Sequence, residues 1–321
     1  MRTMPLISLV IPNFDGARWI GRSIASALAQ TYGDLELLVV DDGSQDASLD
    51  VIASFADERI KVDRQDHASV CAARKLGIAH ARGDLVAFPN SDDTWSPAFL
   101  ERLSAALAAS PGAALAYCGW QNVGYEGGSG KPLVPPICET AGKLEAVFWN
   151  SRWPIHAALT RREAVRADGA FDLRFPTSED ILLWLKILAA GKIVRVPDVL
   201  AFYHYRPGRR ATADEVRLAF NHLDAQRAFL DERPDARNRL GRDKVRDHLT
   251  YGELLRRRNA CYWRGDLPNA QRIFRRVMLA RCGGATDLKR MLPTLAPLRL
   301  HRLLGQRSRG GDPNAGNDAH G

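Results

Sequence analysis

Residues 6–41, LISLVIPNFDGARWIGRSIASALAQTYGDLELLVVD, decide the fold. The stretch opens on a short apolar run that ends at Pro12 and closes on a second run, LELLVVD. Both runs are typical of strands buried in a parallel sheet. Between them Ile20, Ile24 and Leu28 recur at helical spacing. A strand, a helix and a second strand in succession predict the start of a parallel sheet.

Strands and helices go on alternating as far as residue 109. The expected strands are 59–64 and 84–89, and the expected helices are 46–56, 68–81 and 97–109. Asp46 stands where the N-cap of the first of these helices is expected, because a carboxylate there can accept from free backbone N–H groups. The alternation predicts a mostly parallel sheet with helices on both faces, in which ligands bind beyond the carboxyl ends of the strands.

The pattern changes in the second half of the chain. Strands are expected at 113–118 and 155–160, an extended stretch at 193–204, and helices at 143–150, 161–168, 179–190, 243–263 and 267–281. Residues 124–136 are rich in Gly and Pro and are expected to form a loop. We therefore divide the chain into an α/β domain over 1–212, a helical region over 213–305 and a disordered tail over 306–321.

Charge is distributed unevenly along the chain. The 321 residues carry a net charge of +8, yet residues 1–205 sum to −4 (20 Lys and Arg against 24 Asp and Glu). Residues 206–321 sum to +12 (25 against 13). A basic segment beside a nearly neutral domain suits anionic lipid or nucleic acid, and a solvated helical face explains it equally well.

Composition and motifs exclude several classes of protein. With 45% apolar and 26% charged residues, the composition is that of an ordinary globular protein. There is no run of about 18 apolar residues and no signal-peptide pattern, so a cytoplasmic location is expected. The five cysteines form no C-x-x-C pair, and no Walker A, H-E-x-x-H, G-x-G-x-x-G or Ser-His-Asp pattern occurs.

Two pairs of carboxylates follow predicted strands. Asp41 and Asp42 end the second strand, and Asp92 and Asp93 come just after the fourth. Because both strands end at the same edge of a parallel sheet, the two pairs should converge on one crevice. The second pair suits a hard cation such as Mg²⁺ or Mn²⁺. The chemistry of Asp-rich turns explains each pair as well.

A third acidic pair, Glu179 and Asp180, opens the predicted helix that contains ILLWLKIL. Negative charge at this place suits the helix dipole, so capping is one explanation. The other explanation is a general base that takes a proton from an acceptor hydroxyl. These residues alone leave both explanations open.

Taken in order, four segments resemble family 2 of the glycosyltransferases, whose members have the GT-A fold. They are IPNFDGARWIGRSIASALAQT, LELLVVDDGSQDAS, ARKLGIAHARGDLVAFPNSDDTW and GAFDLRFPTSEDILLWLKI, with YHYRPGRRAT following. The resemblance covers residues 6–212 and implies a Rossmann-like α/β fold, to which a C-terminal helical region is added. It also implies transfer of a sugar, with inversion, from a nucleoside diphosphate donor.

The resemblance implies roles for individual residues. The nucleotide site would consist of Pro12, Asp41, Asp42, Arg74 and Ser91. The metal site would be formed by Asp92 and Asp93, and the catalytic base would be Asp180 with Glu179 beside it. The sugar and acceptor side would include Trp95, His156 and Trp184, although core packing explains Trp184 equally well.

Three positions depart from the family's pattern. Asn90 stands where the family usually has the first Asp of Asp-x-Asp, Pro89 where it usually has Leu, and Lys75 where it generally has Asn. An amide can coordinate a cation through its oxygen but brings no charge, so the metal is expected to bind more weakly or through Asp92 alone. The departures leave open a nucleotide-sugar-binding descendant without activity.

The implied partners follow from the family. The donors would be UDP-, dTDP- or GDP-sugars with Mn²⁺ or Mg²⁺, and the acceptor a saccharide or a lipid-linked glycan in cell-surface polysaccharide or glycolipid synthesis. The basic helical region would dock at an anionic membrane, on the inner face of the plasma membrane, or form a homodimer surface. No nucleic-acid-binding motif accompanies the basic region, so nucleic acid is not expected as a partner.

Overall fold

The computed structural model describes residues 4–124, 130–139, 142–149, 153–167, 169–205, 215–241, 244–245, 261 and 266–279. They fall into two compact units. One unit consists of the described residues up to 205 together with Asn221–Ala236, and the other of those within 215–220 and from Arg237 onward. Most of the predicted helix over 243–263 and the whole tail over 306–321 lie outside the described residues. The domain boundaries at 212 and 305 therefore stay predictions.

The larger unit is built on an eight-stranded sheet of described residues in the order β3-β2-β1-β4-β7-β6-β8-β5. The strands are β1 (Ile7–Asn13), β2 (Leu35–Asp41), β3 (Ile60–Arg64), β4 (Leu85–Ala87), β5 (Thr94–Trp95), β6 (Ala113–Val123), β7 (Ala158–Arg161) and β8 (Lys192–His204). Strands β3, β2, β1 and β4 are mutually parallel, as are β6 and β8. Strand β7 runs antiparallel to β4 and β6, and β5 runs antiparallel to β8. The mostly parallel α/β sheet predicted from the sequence is confirmed.

Helices connect most of these strands, and further helices follow β8. They are α1 (Ala17–Leu28), α2 (Ser48–Ala53), α3 (Val70–His80), α4 (Phe99–Ala109), α5 (Lys143–Trp149), α6 (Arg162–Ala167), α7 (Glu179–Ala190), α8 (Glu215–Glu232), α9 (Pro234–Leu240) and α10 (Leu267–Leu279). Within the part of the chain that the structure describes, no helix is both long and apolar enough to span a membrane.

The N-cap prediction for α2 is wrong by one residue. The helix is shorter than expected, and its N-cap is Ala47, which has no side chain that could cap it. Asp46 still accepts a hydrogen bond from the backbone N–H of Ser48, at 3.0 Å. The carboxylate therefore stabilises the first turn from one position further out.

Two strand predictions need correction. The strand expected at 84–89 is paired only over Leu85–Ala87. Its pairing with β1 ends at Ala87, and its pairing with β7 ends at Val86. The strand expected at 155–160 begins with a 3₁₀ turn, Ile155–Ala157, before β7. Strand β5 is two residues long, too short to show any periodicity in the sequence.

Helix α3 lies unusually close to β1. A Cβ atom on Gly77 would lie only 2.3 Å from Cγ1 of Val10, which is fully buried in the centre of β1. Glycine is therefore required at this position, although it is a poor helix former. Arg74 precedes Gly77 by three residues and so lies on the same face of the helix. The close approach holds Arg74 against the sheet, where it is buried.

Candidate active site

The carboxyl ends of β1, β2 and β4 meet at one edge, because β1 lies between the other two and is parallel to both. Asn13 ends β1, and its Nδ2 donates to Oδ1 of Asp41 at 3.3 Å and to Oγ of Ser44 at 3.2 Å. A Cβ on Gly16 would lie 2.2 Å from Oδ1 of Asn13 and 3.5 Å from Oγ of Ser91. The turn after β1 therefore contacts both neighbouring strand ends, which converge as expected.

The family resemblance assigned the role at this strand end to Pro12 and none to Asn13 or Gly16. Pro12 lies inside β1, opposite Val40, and is buried. Proline fits there because β1 pairs with β4 only as far as Leu9. Among the described residues, Oδ1 of Asn13 is buried without a hydrogen-bond partner. In the sequence, the pattern Asn-x-x-Gly before α1 indicates this contact between Asn13 and Gly16.

Asp41 has the contacts of a turn residue. It is fully buried, and its Oδ2 accepts from the backbone N–H of Ser44 at 3.1 Å. Nε of Arg64 lies 3.6 Å from the same oxygen. These contacts close the turn after β2 and hold the next residue, Asp42, in place.

Asp42 bonds to side chains of a partly exposed surface beside this turn, which includes Phe14 and His67. Its Oδ1 accepts from Nε2 of Gln65 at 2.6 Å and from the backbone N–H of Ala68 at 3.0 Å. Its Oδ2 lies 2.9 Å from Nδ1 of His67. The His67 ring stacks on the Phe14 ring with 3.9 Å between centroids. The sequence offered no signal for Phe14, Gln65 or His67, because only the fold brings them together.

Asp93 joins the loop after β4 to the far part of the sheet. It is buried, and its Oδ1 accepts from the backbone N–H of His204 at 3.0 Å. Its Oδ2 accepts from Nδ2 of Asn90 at 2.7 Å and lies 3.2 Å from Nδ1 of His156. Burial lowers the pKa of His156 to about 4, so this ring is neutral near neutral pH.

The acidic residues of this loop differ in how well they suit a metal ion. Among the described residues, no group of three or more His, Cys, Asp and Glu side chains could hold a metal. Both oxygens of Asp93 and both polar atoms of Asn90 already bond to protein groups, and Asp93 is buried. Asp93 as a metal ligand stays a prediction. Asp92 is partly exposed. It fits a cation that is held by one carboxylate and by substrate phosphates, as Mg²⁺ often is.

Arg74 bridges this loop and the start of α7. Its Nη1 forms an ion pair with Oε1 of Glu179, and its Nη2 donates to Oδ1 of Asn90 at 2.7 Å. Arg74 and Glu179 are both buried. Burial raises the pKa of Glu179, and the Arg74 guanidinium opposes that shift. Glu179 therefore serves as the ion-pair partner of Arg74.

Asp180, the next residue, is partly exposed at the same place. Its Oδ1 accepts from the backbone N–H of Ile181 at 2.9 Å. Burial raises the pKa of this carboxyl group, with Arg74 again acting in the opposite direction. Of the two acidic residues that open α7, Asp180 is thus the one that a substrate can reach.

The remaining candidate residues are buried. Trp95 stacks on Phe99 with 4.1 Å between centroids, and its Nε1 donates to the main-chain oxygen of His156 at 2.7 Å. Trp184 is packed within the core side of α7, where its ring lies 6.4 Å from that of Trp153. Both tryptophan rings are buried, so their contacts are those of core packing.

Comparison with known proteins places this chain in a family. The model of glycosyl transferase family 2 matches residues 8–167. The glucosyltransferase WfgD of Escherichia coli, named for UDP-Glc and alpha-D-GlcNAc-diphosphoundecaprenol, is 31% identical over 189 residues, which cover 59% of this chain and 72% of WfgD. The chain belongs to glycosyl transferase family 2. An uncharacterized glycosyltransferase of Nostoc sp. is 43% identical over 100 residues, and this chain spans only 31% of its length.

Solved structures of the same fold extend the comparison. TarS of S. aureus, residues 1–349 in complex with UDP-GlcNAc, gives a TM-score of 0.65 at 17% identity, covering 84% of this chain and 79% of TarS. The mannosyltransferase PcManGT of Pyrobaculum calidifontis, in complex with GDP-Man and Mn²⁺, gives 0.58 at 18% identity and covers 95% and 84%. These likenesses show the GT-A fold that the sequence predicted.

Proposed function

We propose that this family 2 chain transfers a sugar from a nucleoside diphosphate donor to an acceptor hydroxyl, with inversion. The observation that carries the proposal is the bridge through Arg74, which ties the start of α7 to the loop after β4. Asp180 follows Glu179 and Asp92 lies two residues after Asn90, so the bridge supports a site that contains both carboxylates. A base for the acceptor and an oxygen ligand near the leaving group are thereby brought to one site.

The nucleotide base is proposed to lie against the wall formed by Phe14 and His67. The two rings are already stacked, and Asp42 fixes both His67 and Gln65 by hydrogen bonds. An aromatic surface with fixed polar groups beside it suits a planar heterocycle. The unpartnered Oδ1 of Asn13, together with Ser91 near Gly16, would face the rest of the nucleotide.

The transfer itself requires one proton acceptor and one departing group. Asp180 takes the proton of the acceptor hydroxyl, whose oxygen forms a bond to the anomeric carbon from the face opposite the donor phosphate. The bond from that carbon to the phosphate oxygen breaks, and the electron pair leaves with the nucleoside diphosphate. A divalent cation at Asp92, when bound, neutralises charge on the departing diphosphate.

The acceptor class is proposed from the relatives. WfgD carries a diphosphoundecaprenol compound in its name, which supports a lipid-linked acceptor and a role in polysaccharide or glycolipid synthesis. The TarS and PcManGT complexes contain UDP-GlcNAc and GDP-Man, which support a nucleotide-sugar donor. We also propose that the protein acts at the inner face of the plasma membrane and forms a homodimer.

Release of nucleoside diphosphate from a panel of UDP-, dTDP- and GDP-sugars tests this function. With Mn²⁺ or Mg²⁺ we expect release from one donor class and loss of release in EDTA. Asp92→Asn should raise the metal concentration for half-maximal rate by about tenfold or more, because a neutral amide replaces the charged ligand. Asp84→Asn is the matched control, since Asp84 is an exposed carboxylate at the amino end of β4.

The other outcomes of this experiment are also informative. Release of nucleoside diphosphate in the presence of EDTA would contradict the proposed metal site at Asp92, but it would not contradict the proposed sugar transfer. Silence with every donor, even in the presence of lipid-linked and free saccharide acceptors, would favour the nucleotide-sugar-binding protein without activity. Titration with free UDP, dTDP and GDP would then show whether the nucleotide site itself exists.

A further inference from the structure

A run of exposed aliphatic residues lies beside the second half of β6, where Leu133 pairs with Trp120. Residues 131–137, KPLVPPI, are called the proline segment here. Three of its side chains are large, apolar and exposed: Leu133 by 42%, Val134 by 44% and Ile137 by 59%. Elsewhere in the described chain, large exposed apolar residues occur singly. Single exposed apolar residues are normal on protein surfaces, whereas a cluster of them indicates an interaction site.

The proline segment is firmly held to the sheet. The backbone N–H and C=O of Leu133 bond to those of Trp120 on β6, at 2.8 and 2.9 Å. The Tyr117 hydroxyl donates to the main-chain oxygen of Pro136 at 3.2 Å, and Nη1 of Arg195 donates to that of Pro135 at 3.1 Å. The exposed side chains are therefore fixed outward by these bonds, and cannot be hidden without breaking them.

The chemistry of the segment favours a lipid surface over a protein partner. Pro132, Pro135 and Pro136 have no backbone N–H, so an added strand could not pair along the segment. Protein interfaces favour aromatic and arginine anchors, which residues 131–137 lack. No charged residue occurs between Lys131 and Glu139, and Lys131 is exposed. At the other end Glu139 is also exposed and accepts from the backbone N–H of Arg195. An aliphatic surface that begins at an exposed lysine suits the boundary of an anionic bilayer.

A chain of contacts connects the start of the segment to the loop after β4. The backbone N–H of Gly130 donates to the main-chain oxygen of Asn122 at 3.0 Å, and Asn122 lies opposite Tyr203 on β8. The Tyr203 ring is 6.0 Å from that of His156. Since His156 contacts Asp93, the row of residues leads from the loop after β4 to the proline segment.

We propose that the proline segment docks this protein on a bilayer that contains anionic lipid. Leu133, Val134 and Ile137 enter the boundary between headgroups and acyl chains, and Lys131 meets the headgroups. The edge that carries the active site is then held close to the membrane, where a lipid-linked acceptor lies. The choice of a bilayer rests on the proposed function, because that acceptor would be found there.

Co-sedimentation with vesicles tests the proposal on the full chain. Vesicles of phosphatidylcholine with and without phosphatidylglycerol are used, at low and high salt. The variant Leu133→Ser/Val134→Ser/Ile137→Ser should lower the partition coefficient by about tenfold or more, because each aliphatic side chain contributes to burial in lipid. The matched control, Met4→Ser/Val62→Ser/Leu173→Ser, removes three other exposed apolar side chains and should change partition by less than about twofold.

Several results would overturn the docking surface. Equal partition of the two triple variants, or no vesicle binding by the unchanged protein, would do so. So would a dimer that dissociates only in the proline-segment variant, since the surface would then join two copies of the chain. Titration of both variants with UDP, dTDP and GDP distinguishes failure of the proposed function from failure of the docking surface. Loss of nucleotide binding with intact vesicle binding contradicts only the proposed function, and loss of vesicle binding with intact nucleotide binding contradicts only the docking surface.

Discussion

Replacing Asp180 with asparagine is expected to lower the rate of sugar transfer by about two to four orders of magnitude, the usual effect of removing a general base. Asparagine has nearly the same shape and can still accept from the backbone N–H of Ile181, so the start of α7 should keep its structure. Affinity for the donor nucleotide is expected to stay within about twofold, since the proposed nucleotide contacts do not include Asp180. Initial rates and calorimetric titration on the same preparation measure both quantities.

The pH profile provides a second readout for Asp180. Burial raises the pKa of this carboxyl group, and only its deprotonated form can accept a proton. The rate of the unchanged protein should therefore fall as the pH drops through the raised pKa, and the Asp180→Asn variant should lose this acid limb.

Asp50→Asn is the matched control for this substitution, because Asp50 is an exposed carboxylate in the first turn of α2. Its rate and pH profile should match those of the unchanged protein. Unchanged turnover in Asp180→Asn would contradict the assignment of the base.

Replacing Arg74 with methionine is expected to destabilise the fold by about 3–5 kcal/mol, since one partner of a buried ion pair is removed and the other stays buried. Glu179 would be left without its guanidinium, and Asn90 would lose a donor. Transfer should be lost as well, because Arg74 ties α7 to the loop after β4. Urea unfolding at neutral pH measures the free energy of unfolding.

Two further variants show whether the buried charge is responsible. Arg74→Met/Glu179→Gln removes both charges and should recover at least half of the lost stability. Arg102→Met breaks the exposed pair with Asp198 and should cost at most about 1 kcal/mol. If Arg74→Met costs no more than Arg102→Met, the bridge does not stabilise the site as argued.

The amide at position 90 has a structural explanation. Asn90 accepts from Arg74 through Oδ1 and donates to Asp93 through Nδ2, at 2.7 Å in both cases. A carboxylate could accept from Arg74 but could not donate to Asp93, and would repel it. The departure from the family's usual Asp thus fits a loop in which Asp93 is turned toward the protein interior.

The sequence predicted the parts of the fold that depend on local pattern. Strands β1 and β2 are continuous apolar runs, and α7 begins at Glu179 and ends at Ala190 as the helical spacing indicated. The prediction that the turn with Asp41 and Asp42 and the turn with Asp92 and Asp93 lie at one edge followed from the rule for parallel strands. These features need no knowledge of distant contacts.

What the sequence could not show depends on partners far apart along the chain. Arg74 and Glu179 are 105 residues apart, and their pairing appears in no local pattern. The stacking of Phe14 on His67 likewise needs two turns from different strands. The backbone N–H of His204, which bonds to Asp93, lies 111 residues further along the chain.

A crystal structure with the bound nucleotide, chosen from UDP, dTDP and GDP and with Mn²⁺ present, tests the central claim most directly. We expect the base against Phe14 and His67 and the diphosphate beside Asp92, at the carboxyl ends of β1, β2 and β4. The molecule offers a clear alternative place, a cavity of about 580 Å³ at the amino ends of β1 and β4, lined in part by Tyr32 and Arg161. Nucleotide density in that cavity, with none at the carboxyl ends, would contradict the account.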